Sequence, residues 1–185
     1  QDAPPVRERP TGPVAAASCV ECHGDVVAHD RLHGPVIVNA CDACHTPISE
    51  ELHTYELARP GASLCTHCHD VDLEAPVVHA PLQTGDCLSC HDPHGGADLT
   101  FLKAPSVDDL CAQCHEAVIG AEAHVHGPVA VGACSVCHTP HASDHAGLLV
   151  TAGPGLCTDC HVTTGDQLGL RFVHEPAGQD CQACQ

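Results

Sequence analysis

The sequence has few of the side chains that normally fill a protein core. It contains no Trp and no Met, and its only aromatic residues are Tyr55, Phe101 and Phe172. Its 16 cysteines, together with many alanines, supply about half of the apolar residues in a chain of 185. A domain of this length usually buries large side chains around one core. Either something other than side chains fills the interior, or the chain is disordered.

Positive charge is scarce as well. Six Lys and Arg residues face 24 Asp and Glu residues, which gives a formal net charge of −18. This balance argues against nucleic-acid binding, because a phosphate backbone requires clustered cations. The scattered cations also argue against a patch for anionic membranes. No apolar run reaches the roughly 18 residues that a membrane span needs.

The cysteines follow one spacing throughout. All 16 fall into eight C-x-x-C pairs, and seven pairs are followed directly by His. The seven pairs and their histidines are Cys19, Cys22 and His23; Cys41, Cys44 and His45; Cys65, Cys68 and His69; Cys87, Cys90 and His91; Cys111, Cys114 and His115; Cys134, Cys137 and His138; Cys157, Cys160 and His161. The eighth pair, Cys181 and Cys184, is followed by Gln185. C-x-x-C-H is the attachment signature of c-type haem, so the sequence predicts seven such haems.

The spacing has a mechanical reason. Two thiols about one helical turn apart can bond the two vinyl groups on one porphyrin edge, and the next residue places an imidazole under the iron as its proximal ligand. Structural zinc also uses C-x-x-C, but it needs no His directly after the second Cys, and a disulfide scaffold needs no His at all. Haem attachment therefore explains the pattern best. The haems would also replace the missing side-chain core.

The motifs form a repeat of two. The first cysteines of one set lie at 19, 65, 111 and 157, and those of the other set lie at 41, 87, 134 and 181, so each set recurs every 46 or 47 residues. We name the motifs of the first set trailing motifs and those of the second set leading motifs. The repeat predicts one domain over 18–185, with complete repeats 33–78, 79–125 and 126–173 and partial repeats 18–32 and 174–185.

These doubled motifs resemble the multihaem cytochromes c, a family that includes periplasmic electron carriers and electron-conducting cytochromes of the bacterial and archaeal surface. The resemblance covers roughly residues 18–184. It implies low-spin iron with two axial histidines and haems stacked closely enough for rapid electron tunnelling. Pro and Gly interrupt most of the chain, so we expect a mostly irregular fold with short α-helices, a haem-filled core and little or no β structure.

The distal ligands are also predicted to be histidines, because the chain has no Met for Met/His ligation. Eleven histidines remain after the seven proximal ones. Seven of them recur with the repeat, namely His33, His79, His126 and His174 in His-x-Pro and His53, His94 and His141 after the leading motifs. His53 fits least well, since it follows His45 by eight residues where the other two follow by three. His29, His67, His124 and His145 are left over, and the sequence leaves open which haem each distal His serves.

Local structure is expected to be sparse. Each trailing motif should open a short helix, and Ser106–Asp109 before 110–120 has the pattern of a capping box, with a simple turn as the alternative. Residues 1–17 contain four prolines and are expected to form an extended arm, either a loose tail or a docking segment. The start at Gln1 without Met is how a secreted protein looks after signal removal, although cleavage of an expressed protein gives the same start.

Iron with two histidine ligands has no open position for a substrate, so we expect electron transfer at low potential rather than catalysis. The repeat phase also predicts an eighth haem at Cys181 and Cys184, whose iron ligands would come from elsewhere in the chain or from another subunit; the alternatives are a disulfide or a remnant.

The expected partners are other copies of the chain, arranged head-to-tail in an extracellular filament, and redox proteins or extracellular acceptors. His29 or His67 would be the ligand from the neighbouring copy. A soluble periplasmic shuttle is the main alternative, and a haem store is a third.

Overall fold

A computed structural model describes residues 19–115, 124–179 and 181. The predicted arm over 1–17, residues 116–120 of the predicted helix and Cys184 lie outside these residues. The described residues fall into two compact units. One unit comprises the chain up to Asp70 together with Thr84–Ser106, and the other comprises Val71–Gln83 together with the chain from Val107 onward.

The α-helices of the described residues are short. They are α1 (Cys19–Cys22), α2 (Gly34–Ile37), α3 (Ser63–Thr66), α4 (Ala80–Gln83), α5 (Val107–His115), α6 (Gly127–Ala130), α7 (Gly155–Thr158), α8 (Val162–Leu168) and α9 (Glu175–Gln179). Pro35 and Pro128 lie in the first turns of α2 and α6, where the missing N–H of proline costs no hydrogen bond. Short 3₁₀ helices cover Gly24–Val27, Cys41–Ala43, Cys87–Ser89, Cys134–Val136 and Ala146–Leu148.

The strands are shorter still. They are β1 (Arg31–Leu32), β2 (His45–Ser49), β3 (Thr54–Leu57), β4 (Val77–Val78), β5 (Gly95–Gly96) and β6 (Ala142–Ser143). They form three antiparallel pairs, β1 with β5, β2 with β3 and β4 with β6. The prediction of a mostly irregular fold with short helices and little β structure is confirmed.

The described residues contain no core of apolar side chains. No hydrophobic side chain among them is buried, and Phe172 and Leu99 are 85% and 79% exposed. Gly95 is the buried residue of this part of the chain, and it has no side chain. The shortage of large apolar residues therefore has the structural consequence that the composition predicts.

A left-handed residue precedes the first three leading motifs by two positions. Asn39, Gly85 and Gly132 have φ values of 55°, 75° and 72°. At two of these turns the backbone is packed closely, since a Cβ on Gly85 would lie 2.9 Å from the backbone nitrogen of Ala62 and a Cβ on Gly132 would overlap the carboxylate of Asp108. Glycine meets both demands, because it has no Cβ and adopts a positive φ freely. The turns at Gly85 and Gly132 thus dock beside the trailing motif that precedes them.

Candidate haem-binding sites

The two classes of motif have different backbones. Trailing motifs lie in or at α-helices α1, α3, α5 and α7, which confirms that short helices accompany them. Helix α5 begins at Val107, directly after Ser106 and three residues before the predicted 110, and it is described as far as His115. The leading motifs instead begin with the 3₁₀ turns at Cys41, Cys87 and Cys134.

In both classes the motif histidine is bonded back to its own first cysteine, with His45, which begins β2, as the exception. The His23 N–H donates to the Cys19 carbonyl at 2.8 Å in a trailing motif, and the His138 N–H donates to the Cys134 carbonyl at 3.0 Å in a leading motif. Residues spaced by three and four lie on one side of such a turn. The two thiols and the imidazole therefore project together, as attachment of one haem requires.

Each described leading motif is followed by a return segment that bonds to its second cysteine. The carbonyls of Cys44, Cys90 and Cys137 accept the N–H groups of Ala58, Lys103 and Val150, each at 2.9 Å. This regular return places the segment beside the histidine that ends each of these motifs.

The same return segments orient two proximal candidates. The Nδ1 atom of His91 lies 2.7 Å from the Thr100 carbonyl, and that of His138 lies 2.8 Å from the Gly147 carbonyl. A carbonyl only accepts, so Nδ1 carries the proton and Nε2 keeps its lone pair. That is the arrangement found in histidines that bind a metal through Nε2.

Five pairs of imidazoles face each other across the described sites. The ring centroids and interplanar angles are 6.1 Å and 8° for His23 and His53, 6.4 Å and 7° for His45 and His94, 5.7 Å and 22° for His33 and His69, 6.2 Å and 23° for His79 and His115, and 6.1 Å and 23° for His126 and His161. Each pair joins one predicted proximal histidine to one predicted distal histidine.

The spacing of these pairs fits an iron between them. A metal–imidazole bond is about 2 Å long and the ring nitrogen lies about 1 Å from the centroid, so two axial imidazoles have centroids roughly 6 Å apart. Within the described residues no cluster of three or more His, Cys, Asp or Glu side chains is arranged to hold a metal ion. The histidines therefore stand as opposed pairs, and the residues present fit a haem iron with two axial ligands.

The pairs also show which histidines come together, a question that the sequence left open. Three of the four trailing-site pairs join residues 35 or 36 positions apart in one complete repeat, and the fourth joins His23 of the partial repeat to His53. In the leading site, His45 meets His94 of the next repeat, 49 positions away. Burial and the neighbouring His94 lower the pKa of His45. A lower pKa favours the neutral imidazole, which is the form that binds a metal.

His53 reaches its place differently from the other distal candidates. It has a φ of 50°, its ring packs edge-on against Tyr55 at 5.2 Å, and its Nδ1 atom is buried without a hydrogen-bond partner. A buried polar atom without a partner is costly unless a bound group or water satisfies it. The later position and the unusual backbone bring this residue opposite His23 even though it breaks the repeat.

A family model described as the doubled CXXCH motif matches residues 33–74, 79–120 and 126–166, about two thirds of the chain. The chain belongs to the doubled CXXCH motif family. No curated protein gives a match to it. The matched segments begin at His33, His79 and His126, where the complete repeats were predicted to begin. The protein is thus a multihaem c-type cytochrome for electron transfer that carries several c-type haems.

Two distal candidates of this cytochrome are joined through the backbone in each unit. The His33 N–H donates to the His94 carbonyl, and the His79 N–H donates to the His141 carbonyl, both at 2.9 Å. These bonds extend the pairings of β1 with β5 and of β4 with β6. In the first unit the Pro93 carbonyl also lies 2.9 Å from His33 Nδ1. Distal candidates of two different sites are therefore held side by side.

Cysteines of consecutive motifs also meet. Burial and a hydrogen bond with Cys87 raise the pKa of the Cys65 thiol to about 11, and burial together with Cys41 raises the pKa of Cys19. No disulfide joins the cysteines of the described residues. The attachment edges of consecutive sites in the first unit are therefore adjacent, and the raised pKa values favour the protonated thiols of Cys19 and Cys65.

One acidic side chain belongs to these sites although the sequence analysis missed it. The Oδ1 atom of Asp92 lies 3.1 Å from His94 Nδ1 and accepts the His94 backbone N–H at 3.0 Å. Burial acts to raise the pKa of Asp92, but the hydrogen bonds and charge of His94 and the nearby His29 outweigh burial, so the pKa is lowered. The sequence feature that could have identified Asp92 is its position between the predicted ligands His91 and His94.

The structure leaves some predicted histidines apart. Across 19–115, 124–179 and 181, no imidazole pairs with His138 or His174 at the spacing of the five pairs. Of the left-over histidines, His29 lies 4.0 Å from Asp92, and His67 is exposed at the end of α3. None of the described helices is long and apolar enough to cross a membrane.

Proposed function

We propose that this cytochrome moves single electrons along a row of seven or eight c-type haems, each iron held between two imidazoles. The five opposed histidine pairs carry the proposal, because each combines one proximal and one distal candidate at a spacing that suits a shared iron. When bound, the haems supply one-electron chemistry, and the chain supplies ligands, spacing and electrostatic surroundings.

The row is supported by two kinds of boundary between sites that alternate along the first unit. Cys19 meets Cys41 at the first boundary, and Cys65 meets Cys87 at the third. Between them, the backbone bond of His33 to His94 joins the second and third sites. Since no apolar side chain of the described residues is buried, no layer of protein core separates neighbouring sites. Four consecutive haems would then follow one another at short range.

The same ligand set argues against catalysis. Two histidine ligands leave no open position for a substrate, so the protein's task is to set geometry and potential. The formal charge of −18 favours the more positive ferric state, and with it a low reduction potential. Electron transfer without substrate turnover is therefore the proposed activity.

The proposed working form is an extracellular filament of copies joined head-to-tail. Among the described residues His138 and His174 have no facing imidazole, while His67 is exposed and free to reach another copy. A contact between unlike surfaces that does not close produces an open helical filament. His67 is a better candidate than His29 for the iron ligand supplied to a neighbouring copy, because His29 is held near Asp92. The alternative is a soluble periplasmic shuttle made of the same haem row.

The number of haems depends on the eighth cysteine pair. Cys181 is half-buried, and Cys184 lies outside the described residues. Intact-mass spectrometry of the purified cytochrome counts the attached haems, and we expect eight. A mass corresponding to seven, with Cys181 and Cys184 in a disulfide, would contradict the eighth haem. A colourless protein without a Soret band would contradict the whole proposal.

Electron microscopy and sedimentation test the filament. We expect filaments from the natural protein and from the control His124→Gln, which changes an exposed left-over histidine. His67→Gln should shorten or abolish them. If His67→Gln polymerises like the control, His67 is not the joining ligand. A discrete monomer of the natural protein at high concentration would instead favour the shuttle.

A further inference from the structure

The carboxylate of Asp92 lies between two imidazoles of the first unit. Its Oδ1 atom is 3.1 Å from His94 Nδ1, and its Oδ2 atom is 4.0 Å from His29 Nε2. Oδ1 also accepts the His94 backbone N–H at 3.0 Å. The carboxylate thus contacts His94 through both its ring and its backbone, which fixes the position of that ring relative to the chain.

We propose that Asp92 is a positioning residue for His94, one that holds its Nε2 atom toward the iron of the haem on Cys41 and Cys44 and lowers the reduction potential of that haem. This inference rests on the proposed ligation by His94. An ionised carboxylate only accepts hydrogen bonds, so His94 Nδ1 carries the proton and Nε2 keeps its lone pair. A carboxylate on the far nitrogen makes the imidazole a more basic ligand, and a more basic ligand favours the oxidised iron.

Other imidazoles of the sites have neutral partners. The Nδ1 atoms of His33, His91 and His138 lie 2.9, 2.7 and 2.8 Å from the carbonyls of Pro93, Thr100 and Gly147. A charged acceptor forms the stronger bond, by roughly a factor of two. The haem served by His94 should therefore differ from those served by carbonyl-bonded histidines.

The sister repeats carry a different residue at this position. Thr46 and Thr139 occupy the third position of C-H-x-P where the middle repeat has Asp92. The Thr139 hydroxyl donates to the Ala142 carbonyl at 2.7 Å, so it is used within its own loop. The carboxylate is therefore a feature of one repeat, and Asp92→Thr converts that repeat to the residue of its neighbours.

His29, which the ligand prediction left over, has a place in this arrangement. Gly95 is buried against it, and a Cβ on Gly95 would lie 2.9 Å from His29 Cβ. The close packing keeps His29 beside the second oxygen of Asp92. His29 therefore limits rotation of the carboxylate away from His94.

Spectroelectrochemistry of the haem-loaded protein tests the inference. Asp92→Thr should raise the potential of one haem and leave the others in place, with about a tenfold change in the ratio of reduced to oxidised form, or about 59 mV for a one-electron couple. Asp92→Asn keeps an acceptor oxygen and should shift the same haem less. Electron paramagnetic resonance should show a matching change in the low-spin signal of one haem.

Asp42→Asn is the matched control, because it removes one negative charge from an exposed side chain inside the attachment motif of the same haem. We expect a smaller shift than with Asp92→Asn and an unchanged resonance signal. Equal shifts in the two variants would mean that charge alone acts and would overturn the positioning role. So would folded Asp92→Thr protein with natural potentials.

His94→Ala separates failure of this inference from failure of the proposed function. If His94 is an iron ligand, this variant gains a high-spin signal from one haem. If His94→Ala shows a high-spin signal but Asp92→Thr keeps an unchanged potential, His94 remains a ligand and only the role of Asp92 is overturned. A wholly low-spin His94→Ala spectrum would overturn the ligation by His94 and this inference with it.

Discussion

Leading and trailing motifs share the C-x-x-C spacing but differ in how their sites are completed. A trailing histidine such as His69 follows an α-helix and faces a histidine 36 residues earlier in its own repeat. A leading histidine such as His45 follows a 3₁₀ turn and faces His94 of the next repeat. The trailing sites of the three complete repeats therefore close within one repeat, while this leading site ties two repeats together. The difference explains why the repeating unit contains two motifs rather than one.

The consequence for stability follows from where the contacts lie. The pairing of β1 with β5 is only two residues long on each side, and so short a ladder is marginal by itself. A group held between His45 and His94 would hold the same two segments together. Repeats should thus depend on the leading sites for their connection and on the trailing sites for their local order.

Removing every haem should have the largest effect, because neither leading nor trailing sites can then be completed. No apolar side chain of the described residues is buried, so the free chain lacks a hydrophobic driving force to offset its conformational entropy. We expect protein made without haem attachment to show no cooperative unfolding by circular dichroism and to be digested rapidly by protease. A sharp thermal transition of haem-free chain would show that side chains alone stabilise the fold.

Replacing one distal ligand of each class by alanine should show how a leading site and a trailing site differ in what they stabilise. Loss of a metal ligand belongs to the costliest substitutions, and we expect His94→Ala and His126→Ala each to destabilise by about 3 kcal/mol or more. Hydrogen exchange should separate them, since His94→Ala should also release protection at Arg31 and Leu32 in β1. His126→Ala should lose protection only near α6 and α7. Identical exchange patterns in the two variants would contradict the distinction between a trailing site, which is completed within one repeat, and a leading site, which connects two repeats.

Gly85→Ala tests the docking of a leading turn beside a trailing helix. Gly85 has a φ of 75° and its Cβ would lie 2.9 Å from Ala62, whereas Gly61 has a φ of 54° with no atom within 4 Å. A left-handed φ costs an L-residue roughly 1–2 kcal/mol, and overpacking adds roughly 1–3 kcal/mol. Denaturant unfolding should show about 3 kcal/mol lost in Gly85→Ala and about 1 kcal/mol in Gly61→Ala. Equal losses would mean that the turn is not docked tightly.

Sequence spacing was enough to predict the haem motifs, the two-motif repeat and the scarcity of regular structure, because covalent attachment requires fixed residues at fixed intervals. It could not pair the histidines. The bond of His33 to His94 depends on two-residue strands that leave no periodic pattern. His53 has a positive φ, and Asp92 contacts His94 at a position where the sister repeats carry Thr46 and Thr139. The attachment roles of the cysteines and the proximal and distal roles of all the named histidines stay predictions.

The smallest expected effect concerns a cap that only the middle leading turn has among the three described. Asp86 accepts the Ser89 N–H at 3.0 Å and also the Ser89 hydroxyl, while Ala40 and Ala133 stand at the same place in the sister turns. Replacing such a cap by Ala costs about 0.5–2 kcal/mol in helices, and a 3₁₀ turn of three residues should lie at the low end. Asp86→Ala should therefore lower the free energy of unfolding by about 0.5 kcal/mol, measured with the haems attached. Ala133→Asp should raise it by a similar amount, and an unchanged midpoint in both variants would show that the attached haem, rather than the cap, holds the leading turn in its conformation.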